Sequence, residues 1–249
     1  MISTMHMVMH RASTPRWSSW HFTELAFVIA ALGISGLLVA WSRLSRRQRC
    51  LLSLALVLLA LLLSSDVQAM SMSNYSDHMV EHLIVVLVIA PAIAGAISLP
   101  LRRPLALVGF AAFTVLVPLF HLTVLGEWVM NYPEGHLVEL VAFLFVGVWF
   151  WTPVYGVRRV MGDQQRLTYT VLALPVIATT GLVLWSASPV SLRNVGMSMS
   201  NITILDVREG GLVMMAMGTA FMLAHIVAIG LAAAAHQHAI REPVGLSYA

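Results

Sequence analysis

Apolar stretches of about twenty residues recur from one end of the 249-residue chain to the other. Each stretch is long enough to cross a hydrocarbon core of roughly 30 Å as a helix. The chain is 59% hydrophobic and 10% charged, whereas ordinary globular domains are about 45–50% apolar and about 25% charged. Because helices satisfy their own backbone hydrogen bonds in lipid, the pattern predicts an all-α fold, a polytopic membrane helical bundle.

The positions of these stretches predict seven transmembrane helices. They cover about residues 22–41, 51–68, 79–99, 105–121, 137–155, 168–186 and 211–235. A Met/His-rich tail over 1–20 precedes the seven-helix domain of 21–236, and a short tail over 237–249 follows it. Residues 1–20 contain no apolar core, so they do not resemble a cleavable signal peptide.

Arginine supplies all 14 basic residues and predicts the orientation. Positive charge in short loops favours the cytoplasmic face. One set of loops holds the larger group, which is Arg43, Arg46, Arg47, Arg49, Arg102, Arg103, Arg158, Arg159, Arg166 and Arg241; the other face holds Arg11, Arg16, Arg193 and Arg208. The first set is therefore predicted to be cytoplasmic, with the N-terminus outside and the C-terminus inside a cell membrane. Since these charges set topology, we expect no nucleic-acid partner.

Histidine collects on the outer face of this topology. The outer histidines are His6, His10, His21, His78, His82, His121 and His136. His78 and His82 are four residues apart and share one helix face. His121 ends the fourth predicted span and His136 opens the fifth, so both lie at the same membrane level as that pair. Ionisable groups at membrane depth are costly and usually functional. These four histidines are the predicted metal ligands.

Methionine points to copper as the metal. Soft thioethers select Cu(I), and imidazole suits copper in either oxidation state. The segment Met70-Ser-Met-Ser-Asn74 recurs as Met197-Ser-Met-Ser-Asn201, and both copies are predicted in outer loops. Glu139 shares a helix face with His136, as a ligand or as an acceptor that orients the imidazole. Candidate secondary ligands are Met79, Glu81, Glu139, Met70, Met72, Met197 and Met199.

The N-terminal tail alternates the same two ligand types. Its candidate copper-capturing residues are Met5, His6, Met7, Met9 and His10. A flexible tail with this pattern would capture copper, although such a tail can also become methionine-rich by drift.

Other chemistries have weaker signals. The sequence has no Gly-x-Ser-x-Gly elbow, phosphate loop or dinucleotide fingerprint. Haem held by two of His82, His121 and His136 is compatible with the spacing but does not explain the methionines. A carboxylate-bridged di-metal centre would favour paired Glu-x-x-His helices. The chain has only the reverse order, His-x-x-Glu, as in His136-x-x-Glu139.

Four segments carry a family resemblance. His78-Met-Val-Glu-His-Leu-Ile, followed by Ala90-Pro91, resembles the His-Met-x-Gln-His…Ala-Pro-Pro signature of the CtaG family, the seven-span assembly factors of cytochrome c oxidase. The other segments that resemble this family are His136-Leu-Val-Glu139, Phe150-Trp-Thr-Pro-Val-Tyr-Gly156 and Asp206-Val-Arg-Glu-Gly-Gly-Leu-Val-Met214. The resemblance covers about residues 66–235.

The resemblance implies copper delivery or insertion into a haem–copper oxidase, or wider copper homeostasis. By position it implies His78, His82, His136 and Asp206 as motif residues, with Asp206 as a candidate secondary metal ligand or as a residue that supports the ligands. Glu81 stands where the family usually has Gln, and Val207-Arg208 departs from the Asp-Gln segment. An oxidase subunit or a periplasmic copper chaperone would be the partner, and a homo-oligomer is compatible with the sequence.

Three functions thus compete. An assembly factor would hold copper and pass it on by ligand exchange without catalysis. A copper transporter would need a path of ligands across the membrane, where His225 is the only histidine deep in a predicted span. A redox or electron-transfer subunit would carry haem or copper.

Overall fold

The computed structural model describes residues 41, 43–97, 101–157, 160–194 and 203–241. All regular structure within these residues is helical. The helices are α1 (Arg46–Leu62), α2 (Ser65–Ser73), α3 (Tyr75–Ile84), α4 (Ala90–Ala96), α5 (Arg103–His121), α6 (Val124–Asn131), α7 (Pro133–Tyr155), α8 (Asp163–Trp185), α9 (Pro189–Asn194) and α10 (Ile204–Arg241). A π-helical turn, Val85–Ile89, joins α3 to α4 without a break.

Several helices in the described part of the chain are long and apolar enough to cross a membrane, as expected for a multi-pass membrane protein. The five candidates are Tyr75–Ala96, Arg103–His121, Pro133–Tyr155, Asp163–Trp185 and Ile204–His238. Helices α1 and α2 meet at a bend of 63° and would make a sixth span if counted as one. The tail over 1–20 and almost all of the predicted first span over 22–41 lie outside the described residues. Seven spans and the orientation of the termini therefore stay predictions.

Two segments between the predicted spans contain short helices that the sequence did not predict. Met70–Ser73, the first copy of the methionine–serine repeat, forms the C-terminal end of α2. The segment between α5 and α7 contains α6, whose N-cap Thr123 accepts a hydrogen bond from the backbone N–H of Leu125 at 3.2 Å. This side-chain cap stabilises the start of α6. Helices α2 and α6 have 9 and 8 residues, so each is too short to span a bilayer alone.

The long helices alternate in direction, so the starts of some helices and the end of another lie at the same end of the bundle. His78 lies beside Glu139 of α7, and further along both helices the Nε1–H of Trp151 donates to the carbonyl of Val86 at 2.7 Å, so α7 runs parallel to the Tyr75–Ala96 helix. The hydroxyl of Tyr169 on α8 donates to the carbonyl of Ala106 on α5 at 3.2 Å, near the opposite end. The starts of α3, α7 and α10 therefore lie at the same end as the finish of α5.

The π-helical turn is held by side chains from two neighbouring helices. A π-turn leaves backbone carbonyls without their usual helical donors, and lipid cannot supply any. Trp151 satisfies Val86, and the Nε2–H of His225 on α10 donates to the carbonyl of Leu87 at 2.8 Å. The Nδ1 of His225 then accepts from the hydroxyl of Tyr155 at 2.7 Å. These bonds fix α3 against α7 and α10 below its histidines.

Helices α8 and α10 approach each other closely through glycine. A Cβ atom placed on Gly181 would lie 2.7 Å from the backbone N of Met215 and 2.8 Å from the carbonyl oxygen of Gly211. Small residues at such crossings allow membrane helices to pack by backbone contact.

Candidate metal centre

Four buried histidines meet at one end of the bundle. His78 and His82 lie one turn apart on α3, His121 is the last residue of α5, and His136 lies in the first turn of α7. Their exposed fractions are 2%, 4%, 2% and 1%, respectively. The structure thus brings together the four residues that the sequence predicted as ligands, because the helix directions place these termini at the same level.

The four imidazole rings form one cluster. The ring centroids of His78 lie 4.2 Å from those of His82 and 5.1 Å from those of His136. The His121 ring lies edge-on to His82 at 5.5 Å. His121 and His136 therefore flank the central pair, each next to a different member of it.

Glu139 places a carboxylate between the central pair. It follows His136 by almost one turn of α7 and is 1% exposed. Its Oε2 lies 3.1 Å from Nε2 of His78 and 2.9 Å from Nε2 of His82. A carboxylate this deeply buried is costly unless positive charge or hydrogen bonds compensate it.

A second carboxylate, Glu81, approaches the cluster from α3. Its Oε2 lies 3.0 Å from Nε2 of His136. Gln68 donates from Nε2 to Oε1 of Glu81 at 2.6 Å, and the Ser71 hydroxyl donates to Oε2. Gln68 also donates to the carbonyl of Leu62 at 2.8 Å, across the bend between α1 and α2. The bend therefore folds α2 over the cluster and anchors the second carboxylate.

Hydrogen bonding inside the cluster is incomplete. Within the described part of the chain, both ring nitrogens of His82 and His136, Nδ1 of His78, Nε2 of His121 and Oε2 of Glu139 are buried without a hydrogen-bond partner. Buried polar atoms in native proteins almost always have one, so each exception needs an explanation such as a bound ion. The close nitrogen–oxygen contacts lack hydrogen-bond geometry, which is what converging metal donors would show.

The donors fall into two groups, and each group could hold a metal ion. His78, His136 and Glu139 form one group, and the second contains His82, His121 and Glu139. Within each group the ligand atoms all lie within 4.8 Å of one another. Imidazole and carboxylate donors fit copper, zinc or iron, and the cluster therefore fits a transition-metal ion.

His121 is held in the tautomer that suits a ligand. Its Nδ1–H donates to the carbonyl of Val117 at 2.7 Å. The proton on Nδ1 leaves Nε2 with its lone pair free, and such outer bonds normally orient metal-bound histidines.

The residues predicted as secondary ligands lie in different parts of the structure. Met79 is buried and lines a small cavity beside His82 and His121. Met70 is 56% exposed, and Met72 is half-buried. Asp206 accepts from the backbone N–H of Tyr75 through Oδ2 at 2.9 Å, so it caps the start of α3. Met197, Met199 and the tail residues Met5, His6, Met7, Met9 and His10 lie outside the described residues.

Two polar residues of the site were missed by the sequence reasoning. Gln68 and Ser71 reach Glu81 from α2. Ser71 lies inside the methionine–serine repeat and is 1% exposed, whereas its neighbour Met70 is 56% exposed. The burial of Ser71 follows from the packing of α2 against α3, so no signal in the sequence singled it out.

The fold and the cluster define a class: a multi-pass helical membrane protein with a buried histidine–carboxylate centre near one end. The family model described as cytochrome c oxidase caa3 assembly factor (Caa3_CtaG) matches residues 100–235. The match covers more than half of the chain, so the protein belongs to this family, as the resemblance predicted. The match includes His121, His136 and Glu139, but it begins after His78 and His82. No curated protein and no solved structure matches the chain.

Proposed function

We propose that this assembly factor binds copper at His78, His82, His121 and His136 and delivers or inserts it into cytochrome c oxidase. The observation that carries the proposal is the set of buried ring nitrogens around Glu139 that, among the described residues, lack hydrogen-bond partners. Family membership supports the assembly role. Wider copper homeostasis would use the same site.

Charge favours a cation in the cluster. In the described part of the chain, Glu139 makes close contacts with His78 and His82 and with no arginine, and the sequence has no lysine. An uncompensated buried carboxylate is strongly unfavourable. With neutral imidazoles, a bound copper ion would supply the positive charge that Glu139 needs, and the imidazoles would supply lone pairs to the ion.

The cargo role requires binding and release without catalysis. Imidazole ligands exchange with those of a partner protein one at a time, so copper need never be free. The arginine distribution supports an extracytoplasmic site, where a periplasmic chaperone or oxidase subunit could reach it. Exposed Met70, half-buried Met72 and the Met/His tail would then supply thioethers for capture.

The transporter alternative is less well supported. A path across the membrane would need further ligands below the cluster. His225 is the deep histidine of the sequence, but both of its ring nitrogens are used, one by Tyr155 and the other by the carbonyl of Leu87. It therefore holds the π-helical turn and offers no lone pair to a metal.

Copper content tests the proposal directly. The protein is purified in detergent with its copper, and metal is measured by mass spectrometry together with the absorption spectrum. The double variant His78→Ala with His82→Ala should lose the copper, whereas His236→Ala, which changes an exposed histidine of α10, should keep it. Full copper retention in the double variant would sink the assignment, and a Soret band in the wild type would indicate haem instead.

A further inference from the structure

We infer that the cluster holds two Cu(I) ions that share Glu139. The inference rests on the proposed function, since it assumes that the cluster binds copper at all. The two ligand groups have Glu139 in common but use different histidines. The first group contains His78 and His136, and the second contains His82 and His121.

The number of donors exceeds what one ion needs. Copper and zinc sites use about three or four protein ligands. Six side chains converge here: four histidines and the carboxylates of Glu81 and Glu139. His121 neighbours His82, and His136 neighbours His78, so the outer rings lie beside different central rings. Two ions with three ligands each, sharing Glu139, would use five of these six side chains and leave Glu81 beside His136.

Glu139 is positioned to serve both ions. A carboxylate has two oxygens and about four lone-pair directions. Its Oε2 lies within 3.1 Å of Nε2 of His78, from the first group, and within 2.9 Å of Nε2 of His82, from the second. The carboxylate therefore lies at the junction of the two groups.

Charge balance selects the monovalent ion. Two Cu(I) ions carry two positive charges, and Glu81 and Glu139 carry two negative charges. In the described part of the chain neither carboxylate contacts an arginine. A neutral total is the least costly arrangement for a buried site, whereas two Cu(II) ions would leave excess positive charge there.

The two halves differ chemically. The half with His78 and His136 adjoins Glu81 and its donors Gln68 and Ser71. The half with His82 and His121 borders an apolar cavity that is also lined by Met79 and Met214, both buried. Thioethers favour Cu(I), so this second half has the softer surroundings.

The test counts Cu(I) ions. Detergent-purified protein is stripped with a chelator, loaded with Cu(I) under anaerobic conditions, desalted and analysed for copper per chain. The wild type should hold two ions. His121→Asn and His136→Asn should each hold one, because each change removes a ligand from one half only. His236→Asn should still hold two.

The variant Glu139→Gln has nearly the same shape as the wild type, so a loss of copper in it is not explained by misfolding. It should elute as the wild type does in size-exclusion chromatography and hold at most one Cu(I), because the shared anionic ligand is gone. One ion in the wild type would overturn the two-ion inference and leave the proposed function standing. No ion in the wild type would overturn both, and two ions in Glu139→Gln would overturn the sharing.

Discussion

Replacing Asp206 distinguishes a helix cap from a metal ligand. The family resemblance implied Asp206 as a motif residue, and the structure shows its Oδ2 2.9 Å from the backbone N–H of Tyr75 at the start of α3. The first N–H groups of a helix have no partner within the helix. Asn74 caps the next two, those of Ser76 and Asp77. Asp206 therefore completes the cap of the helix that carries His78.

The size of the effect follows from this single bond. Loss of a capping side chain costs about 0.5–2 kcal/mol, and each kcal/mol shifts the melting temperature by roughly 2–4 °C in a chain of this size. Asp206→Ala should therefore lower the unfolding temperature by a few degrees. Asp206→Asn keeps an acceptor oxygen and should lose less. Both variants should keep the copper of the wild type.

The assay measures thermal unfolding in detergent and the copper content of the same samples, for the wild type and both Asp206 variants. A ligand role would give a different pattern, because an amide is a much poorer ligand than a carboxylate. If Asp206→Asn unfolded at the wild-type temperature but lost its copper, the capping account would be refuted.

Two further predictions concern packing and the second carboxylate. Gly181→Val should lower the free energy of unfolding by about 1–3 kcal/mol, because α8 meets the α10 backbone there. Gly230→Val on α10, where a new side chain meets open space, is the control and should not lower the unfolding temperature. Ser71→Ala should weaken copper binding roughly 10–100-fold by releasing Glu81. Chelator competition measures this, and the exposed Ser73→Ala is the control; equal affinities for the two variants would contradict it.

The sequence was informative where helix periodicity and span direction decide the geometry. The spacing of four places His78 and His82 on one face, and the end of one span and the start of the next place His121 and His136 at their level. The three-residue step from His136 likewise points Glu139 into the cluster. These relations are local to single helices or follow from the alternation of spans, so they needed no tertiary information.

The features of the site that the sequence did not predict depend on tertiary contacts. The bend of 63° that folds α2 over Glu81 is stabilised by Gln68, which bonds residues on two other helices. A sequence window cannot show such a bond. The two donor groups around Glu139 have no paired Glu-x-x-His signature, and their residues come from three different helices. Asp206 could not be recognised as a cap because Tyr75, whose N–H it accepts, is 131 positions away.

X-ray absorption at the copper edge of the purified wild-type protein tests the central claim most directly. The account predicts a first shell of nitrogen and oxygen with the outer scattering of several imidazole rings, since His78, His82, His121 and His136 surround Glu139. Copper bound by sulfur alone, without imidazole scattering, would place the metal on the methionines and contradict the account.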